Sequence, residues 1–336
     1  MTAPGPRAIL YPVMKKYLLF VYAACLLVNI FTAHPAAAFE GPLQTKNLFP
    51  LFMHLDTPYL ESAATGNSFS SGLSHSSVFV VKDSGGWSAD LDMETTELDL
   101  KYRREISGLF ELGIDLPVIS FNSGFMDSFL NSYHKTFGFG DYGRSSRPDN
   151  AFLYELKKDG VTVIKGKNGG IGIGDIRLTA KKKLLSNDPV VSVRAEIELP
   201  TGSASDGFGS GGFDGGVSIL VDKKLGEKFM SYFNVGVVLP GDLKGHESVG
   251  LRSYAHGGAG VEAALWEKFS LLGQIYFQTS PFPKTGIGAI DRLSALLSFG
   301  GRYSSGSNSF EFSLSEDANT AGAPDVTFNF YYKRRL

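Results

Sequence analysis

Residues 74–79 read SHSSVF, inside a stretch whose alternation predicts a β-strand. Side chains two apart on a strand share a face, so His75 and Ser77 stand together. A histidine beside a serine is the start of a nucleophilic pair. The imidazole takes the hydroxyl proton, and a third group fixes the tautomer of the imidazole. A hairpin across KDSGGWS, centred near Ser84–Gly85, brings Glu94 opposite His75 and supplies that group. Ser77 as nucleophile, His75 as base and Glu94 as orienting anion form the candidate catalytic set. Phe69, Leu73, Phe79 and Val81 share their parity, so the set is expected on the outer, lipid-side face of its strand. The alternative is a hydrogen-bonded patch at a membrane interface. A bulge that shifts the register by one residue would turn all three inward instead. No oxyanion donor can be named from the residues. No cofactor and no metal site are expected, calcium entering only with the hydrolase reading.

The elements that carry this set are strands. Phe110, Leu112, Ile114, Leu116 and Val118 alternate with Glu111, Gly113 and Asp115. Val191, Val193, Ala195, Ile197 and Leu199 alternate with Ser192, Arg194, Glu196 and Glu198. The same period of two recurs to the final stripe Val326, Phe328, Phe330 and Tyr332. Each stripe is about ten residues long, the length of a tilted strand crossing a bilayer. Strands are predicted over 66–82, 90–103, 107–118, 171–184, 190–200, 213–223, 229–239, 253–266, 269–279, 289–303, 308–316 and 325–334. The connectors between them alternate short and long, as the periplasmic turns and outer loops of a membrane barrel do. The fold class is therefore all-β, an antiparallel transmembrane β-barrel of about twelve strands over residues 66–336.

The ends and the composition agree. From Met14, the expected true start, MKKYLLFVYAACLLVNIFTAHPAAAFEG has the layout of a secretory signal peptide, with cleavage after Ala38. Its removal takes away Cys25, the only cysteine, and with Arg7, Lys15 and Lys16 leaves a net charge of −5 from 32 Lys and Arg against 34 Asp and Glu. That balance argues against a nucleic-acid partner. The expected partners are outer-membrane lipid, lipopolysaccharide and the barrel assembly machinery. The 40 Gly, 26 Phe and 14 Tyr suit a secreted β-sandwich or a barrel. Residues 39–65 are expected to form a periplasmic segment. GGIGIGD (169–175) has alternating glycines, but strand residues Ile176 and Leu178 follow instead of a helix, which speaks against a phosphate loop.

One long outer loop, 119–170, breaks the pattern. In SGFMDSFLNSYHKTFG the residues Phe125, Phe129, Tyr133 and Phe137 recur every four, which predicts a short amphipathic helix on the outer side or in the mouth of the lumen. Arg144 and Arg147 follow in DYGRSSRPDN, either as a self-paired polar loop or as part of a gate. The inward positions of the strands carry Asp99, Lys101, Arg103, Glu111, Asp115, Arg177, Arg194, Glu196, Glu198, Glu262 and Glu311. Both signs occur, so the lumen is either a wet pore for small solutes or a space filled by its own ion pairs.

The stretches LESA (60–63), SHSSVFV, LDME (91–94), NSGFMDSFLNSYHKTFGFGDYGRSSRP, GIGDIRL and LPTG resemble the family of unknown function numbered 3187, over about residues 45–336. The resemblance implies an exported outer-membrane protein and supplies no activity. The chain departs from outer-membrane proteins in general at its end, where KRRL follows Tyr332 in place of a terminal aromatic residue. The His-x-Ser pair alone resembles outer-membrane phospholipase A and lipid A deacylase, which carry a serine, a histidine and an Asn or Glu on the outer wall of a barrel. The small polar residue that often follows the serine there is Val78 here. These readings leave three functions open: a passive pore, a lipid acyl hydrolase, and a structural barrel with a plugged lumen.

Overall fold

The computed structural model describes residues 39–53, 55, 58–137, 143, 144 and 147–336, apart from the side chains of Tyr133, His134 and Phe137. The expected signal peptide lies outside the described residues, as does Asp141 of the polar loop.

Among the described residues, twelve antiparallel strands close on themselves. They are β1 (Ser68–Ser84), β2 (Trp87–Ile106), β3 (Phe110–Asn122), β4 (Ile176–Leu185), β5 (Val190–Leu199) and β6 (Asp214–Lys224). Then come β7 (Phe229–Leu239), β8 (Tyr254–Trp266), β9 (Phe269–Gln278), β10 (Ser294–Ser305), β11 (Asn308–Asp317) and β12 (Val326–Arg335). Each pairs with its sequence neighbours, and β1 closes on β12 from Ser68↔Arg335 to Ser77↔Val326. Closure leaves no unpaired edge in the wall at that height, as lipid requires. No described helix is long and apolar enough to cross a membrane.

The alternation sorts the two faces. Leu98, Ile114, Ile219, Val235, Leu271, Phe312 and Phe330 are exposed on the outside, while each has a buried polar residue beside it in sequence, such as Asp99, Asp115, Ser218, Asn234, Ser270 and Glu311. In β2 this sorting inverts along the strand. In its lower half Glu97, Asp99, Lys101 and Arg103 point inward and Leu98 and Tyr102 outward. In its upper half Trp87, Ala89, Leu91 and Met93 are the buried inner row, and Asp90, Asp92, Glu94 and Thr96 form the outer one. An outer row that turns from apolar to polar marks the upper limit of the lipid-facing belt, near Thr96. Above it the protein has the plan of a water-soluble domain, apolar inside and polar outside.

Turn chemistry corrects the expected register. Gly85 and Gly86 both have positive φ, 56° and 81°, so they form a two-residue hairpin loop between Ser84 and Trp87. The hairpin is centred one residue later than expected. Ser77 is therefore opposite Glu94, and His75 is opposite Thr96.

The long outer loop begins at Ser123 rather than 119. It carries α1 (Asp127–Phe137), then a hairpin of Leu153–Lys158 and Val161–Lys165 that pairs with the upper half of β2. Gly170–Ile173 pairs with the top of β3. The strand expected over 171–184 is thus two strands, interrupted at Gly174–Asp175. Asp175 there accepts backbone N–H bonds from Gly202 (2.7 Å) and Ser210 (2.6 Å) and anchors the next outer loop. The strand expected over 289–303 starts at Ser294, after one helical turn, α2 (Gly288–Asp291).

The largest correction concerns residues 39–65. The described part of this segment lies inside the barrel, not on its periplasmic side. It enters at the end with the short turns, where Glu40 meets Lys333 (3.5 Å) and Arg335 (3.4 Å). It climbs along β10, with Arg302 donating to the Gly41 carbonyl, Thr45 bonded to Ser298, and Asn47 donating to Ser294. It turns back at the outer end and descends to Gly66, whose N–H donates to Glu111.

Candidate functional site

The candidate site is the lumen with this segment in it. All eleven inward charges expected from the strands are buried, and the structure brings most of them onto the segment. Asp115 accepts from Arg103 (2.5 Å) and Arg177 (2.7 Å). Glu196 pairs with Arg194 (2.9 Å), and Glu111 lies 4.0 Å from Arg103. From the segment, Glu61 meets Arg103 (3.1 Å) and Arg194 (3.3 Å), and Lys46 meets Glu97 (2.9 Å) and Asp99 (3.2 Å). The Tyr59 hydroxyl shares its one proton between Glu61 (2.9 Å) and Asp115 (3.1 Å), while its ring lies 3.6 Å from the Lys101 ammonium. Glu262 and Glu311 sit apart from that group, sharing Arg302 at 2.9 Å each. Glu198 borders a small space with Lys46, Asp175 and Arg177. Charges this deep persist because they are paired and hydrogen-bonded.

Above the ionic zone the segment turns apolar. Phe49, Leu51, Phe52, Met53 and Leu55 pack against Trp87, Leu91, Met93, Ile119 and Phe121 of the wall. Phe208, Leu243, Phe282 and Ile287 of the outer loops close over them. Phe282 stacks on Phe52 at 6.2 Å and meets the Trp87 edge at 6.2 Å. The described part of the segment therefore occupies the lumen at two heights, held by ion pairs at mid-height and by apolar packing at the outer end. A cavity of about 390 Å³ remains at the short-turn end, between the segment and Lys101, Arg103, Lys181 and Lys333.

Sequence reasoning missed Lys46, Tyr59 and Glu61 because NLFPLFMHL and its flanks have neither strand nor helix period. It also missed Glu97, Lys181 and Arg302. Their inward parity was there to be read: Glu97 precedes Asp99 by two, Lys181 follows Arg177 by four, and Arg302 lies in step with Ser298.

The candidate triad is on the outer wall, just above the apolar belt. His75 Nε2 lies 2.7 Å from Glu94 Oε2, and His75 Nδ1 lies 2.8 Å from Thr96 Oγ1. Both ring nitrogens are thus engaged by β2. The Ser77 hydroxyl instead accepts from Arg144 Nη1 at 3.4 Å. The other Glu94 oxygen accepts the N–H groups of Phe125 (2.8 Å) and Met126 (2.5 Å), so Glu94 caps the approach to α1. Arg144 also pairs with Asp127 and Asp325, and Arg147 Nε donates to Asp92 at 2.8 Å. These residues fasten the outer loop to the outside of the barrel, so α1 lies on the wall and not in the mouth. Phe129 is on it and Phe125 is two residues before it; the Tyr133 side chain lies outside the described residues. No group of three His, Cys, Asp or Glu among the described residues could hold a metal ion.

The COG4313 outer-membrane channel from Pseudomonas putida F1 shares this fold, with a TM-score of 0.55 and 14% identity over 84% of this chain and 98% of that one. The NanC porin aligns with a TM-score of 0.44 and 8% identity over 81% of this chain and all of that one. The Ralstonia pickettii toluene transporter TbuX aligns with a TM-score of 0.41 and 10% identity over 85% of this chain and 98% of that one. No curated protein matches the sequence. The family model described as a protein of unknown function, DUF3187, matches residues 18–336, and the chain belongs to that family.

Proposed function

We propose that the protein is a passive outer-membrane channel for small solutes, closed at rest by its own residues 39–65. One observation carries this reading: the lumenal segment is held by side-chain ion pairs and hydrogen bonds, not by a strand ladder. Its removal would leave all twelve strands paired around a polar interior. The likeness in fold to an outer-membrane channel supports the same location and class. Export through a cleaved signal peptide and insertion by the barrel assembly machinery belong to this reading.

A structural barrel with a permanently filled lumen is the competing reading, favoured by the density of ion pairs around Glu61. Planar-bilayer recording separates the two. The full chain is expected to conduct weakly, and a variant lacking residues 39–65 to conduct in large, steady steps. A folded deletion variant that stays electrically silent would exclude the channel. The acyl-hydrolase reading has less support, because His75 spends both nitrogens on Glu94 and Thr96.

A further inference from the structure

We propose that α1 and the turn before it form an interfacial element seated in the outer leaflet, with Phe125 and Phe129 toward the lipid acyl chains and Lys135 toward the headgroups. The inference concerns the outer wall and holds whether or not the lumen conducts.

Two apolar pairs span the start of the helix, and only one is buried by the protein. Met126 and Leu130 are buried against Val326, Leu314 and Phe328 of β11 and β12. Phe125, two residues before α1, and Phe129 within it are the other pair. Phe125 is 72% exposed and Phe129 52%, although Phe125 stacks on His75 (5.2 Å) and Phe129 touches Phe328 (6.3 Å). Two large aromatic rings left open four residues apart are costly in water and favourable at a lipid interface.

Height and continuity identify the occupant. The outer face of β2 turns polar at Thr96, which is opposite His75, and Phe125 stacks on His75. The helix therefore sits where the lipid-facing belt ends. Phe129 runs on through Phe328 to Phe330 and Leu73, a cross-strand pair exposed in that belt. Ser128, Ser132 and Thr136, the row beside Phe129, are exposed, and so is Lys135, about 120° round the helix from Phe129. Ser132 donates to the Ser128 carbonyl (2.9 Å) and Thr136 to the Ser132 carbonyl (2.8 Å), which satisfies these hydroxyls without water. Glu94 and Arg144 pin the helix in place across the seam where β1 meets β12.

Spin labels test the seat. Single cysteines replace Phe129 or Lys135 in the full chain carrying Cys25→Ser, folded into phosphatidylcholine vesicles, with heat-modifiable gel migration confirming the barrel. Power saturation then reads collisions with oxygen, which dissolves in lipid, and with a water-soluble nickel chelate. The expected result is a label at 129 relaxed more by oxygen and a label at 135 relaxed more by nickel. Nickel dominance at both positions would place α1 in water and overturn the proposal. Protection of both from both reagents would place it in a protein contact and overturn it equally. A Phe125→Cys label, in the turn before the helix and also exposed, repeats the measurement if Phe129→Cys fails to fold.

Discussion

One oxygen of Glu61 lies 3.3 Å from Arg194 Nη1, and the other lies 3.1 Å from Arg103 Nη2. A single carboxylate of the lumenal segment thus joins β5 to β2 through the middle of the barrel. Removing one member of a buried pair leaves the partners uncompensated, at a cost of about 3 kcal/mol. Glu61→Gln is expected to raise the population of the displaced segment on the order of a hundredfold, since each ~1.4 kcal/mol is tenfold. More frequent openings in planar-bilayer records of Glu61→Gln would bear this out; unchanged dwell times would show that the segment is held elsewhere.

Glu94 is a helix anchor on the outer wall. Glu94→Ala removes the acceptor for two N–H groups at the start of α1 and the partner of His75. Loss of such a cap costs roughly 1–2 kcal/mol. Hydrogen exchange over residues 125–137 is expected to speed up by about tenfold, with the barrel strands unchanged.

Ser77 is expected to be a structural hydroxyl. Ser77→Ala should release no less fatty acid from outer-membrane lipids than the parent chain, with calcium present or absent. A parent that hydrolyses lipid and a folded variant that does not would restore the nucleophile.

Asp175 makes the loop it anchors sensitive to pH. Burial pushes its carboxyl up to about 6, against the backbone N–H bonds that favour the anion. A carboxyl raised on folding stabilises most below its unfolded value near 4, and that contribution is lost as the pH rises through about 6. Amides of residues 201–212 should thus be better protected at pH 4.5 than at pH 7.5, after correction for intrinsic exchange. Asp175→Asn should flatten that dependence.

The outer belt gives a depth-dependent prediction. Phe330, half exposed beside Leu73 and Phe312, is within the belt, whereas Leu336 is at the short-turn rim. Phe330→Arg is expected to cost about 2–4 kcal/mol and Leu336→Arg about 0–1 kcal/mol in reversible unfolding from vesicles. Equal costs would move the belt.

The barrel wall was legible in the residues because a membrane strand has two solvents. Lipid on one side and polar lumen on the other write a period of two into every crossing, from Phe110–Val118 to Val326–Tyr332. The inward charges came with it, Arg194 and Glu196 as surely as Asp99 and Lys101. What the residues left open was decided by contacts distant in sequence. Two glycines with positive φ moved the β1–β2 register by two and gave Glu94 to Ser77 as its cross-strand neighbour. His75 still reaches Glu94, but diagonally, because its ring spans the gap. The segment 39–65 carries no period, since it neither crosses lipid nor pairs as a strand. Its place is set by Glu61, Lys46 and Tyr59 finding charged partners on four different strands, β2 to β5, a complementarity that exists only once the barrel has closed.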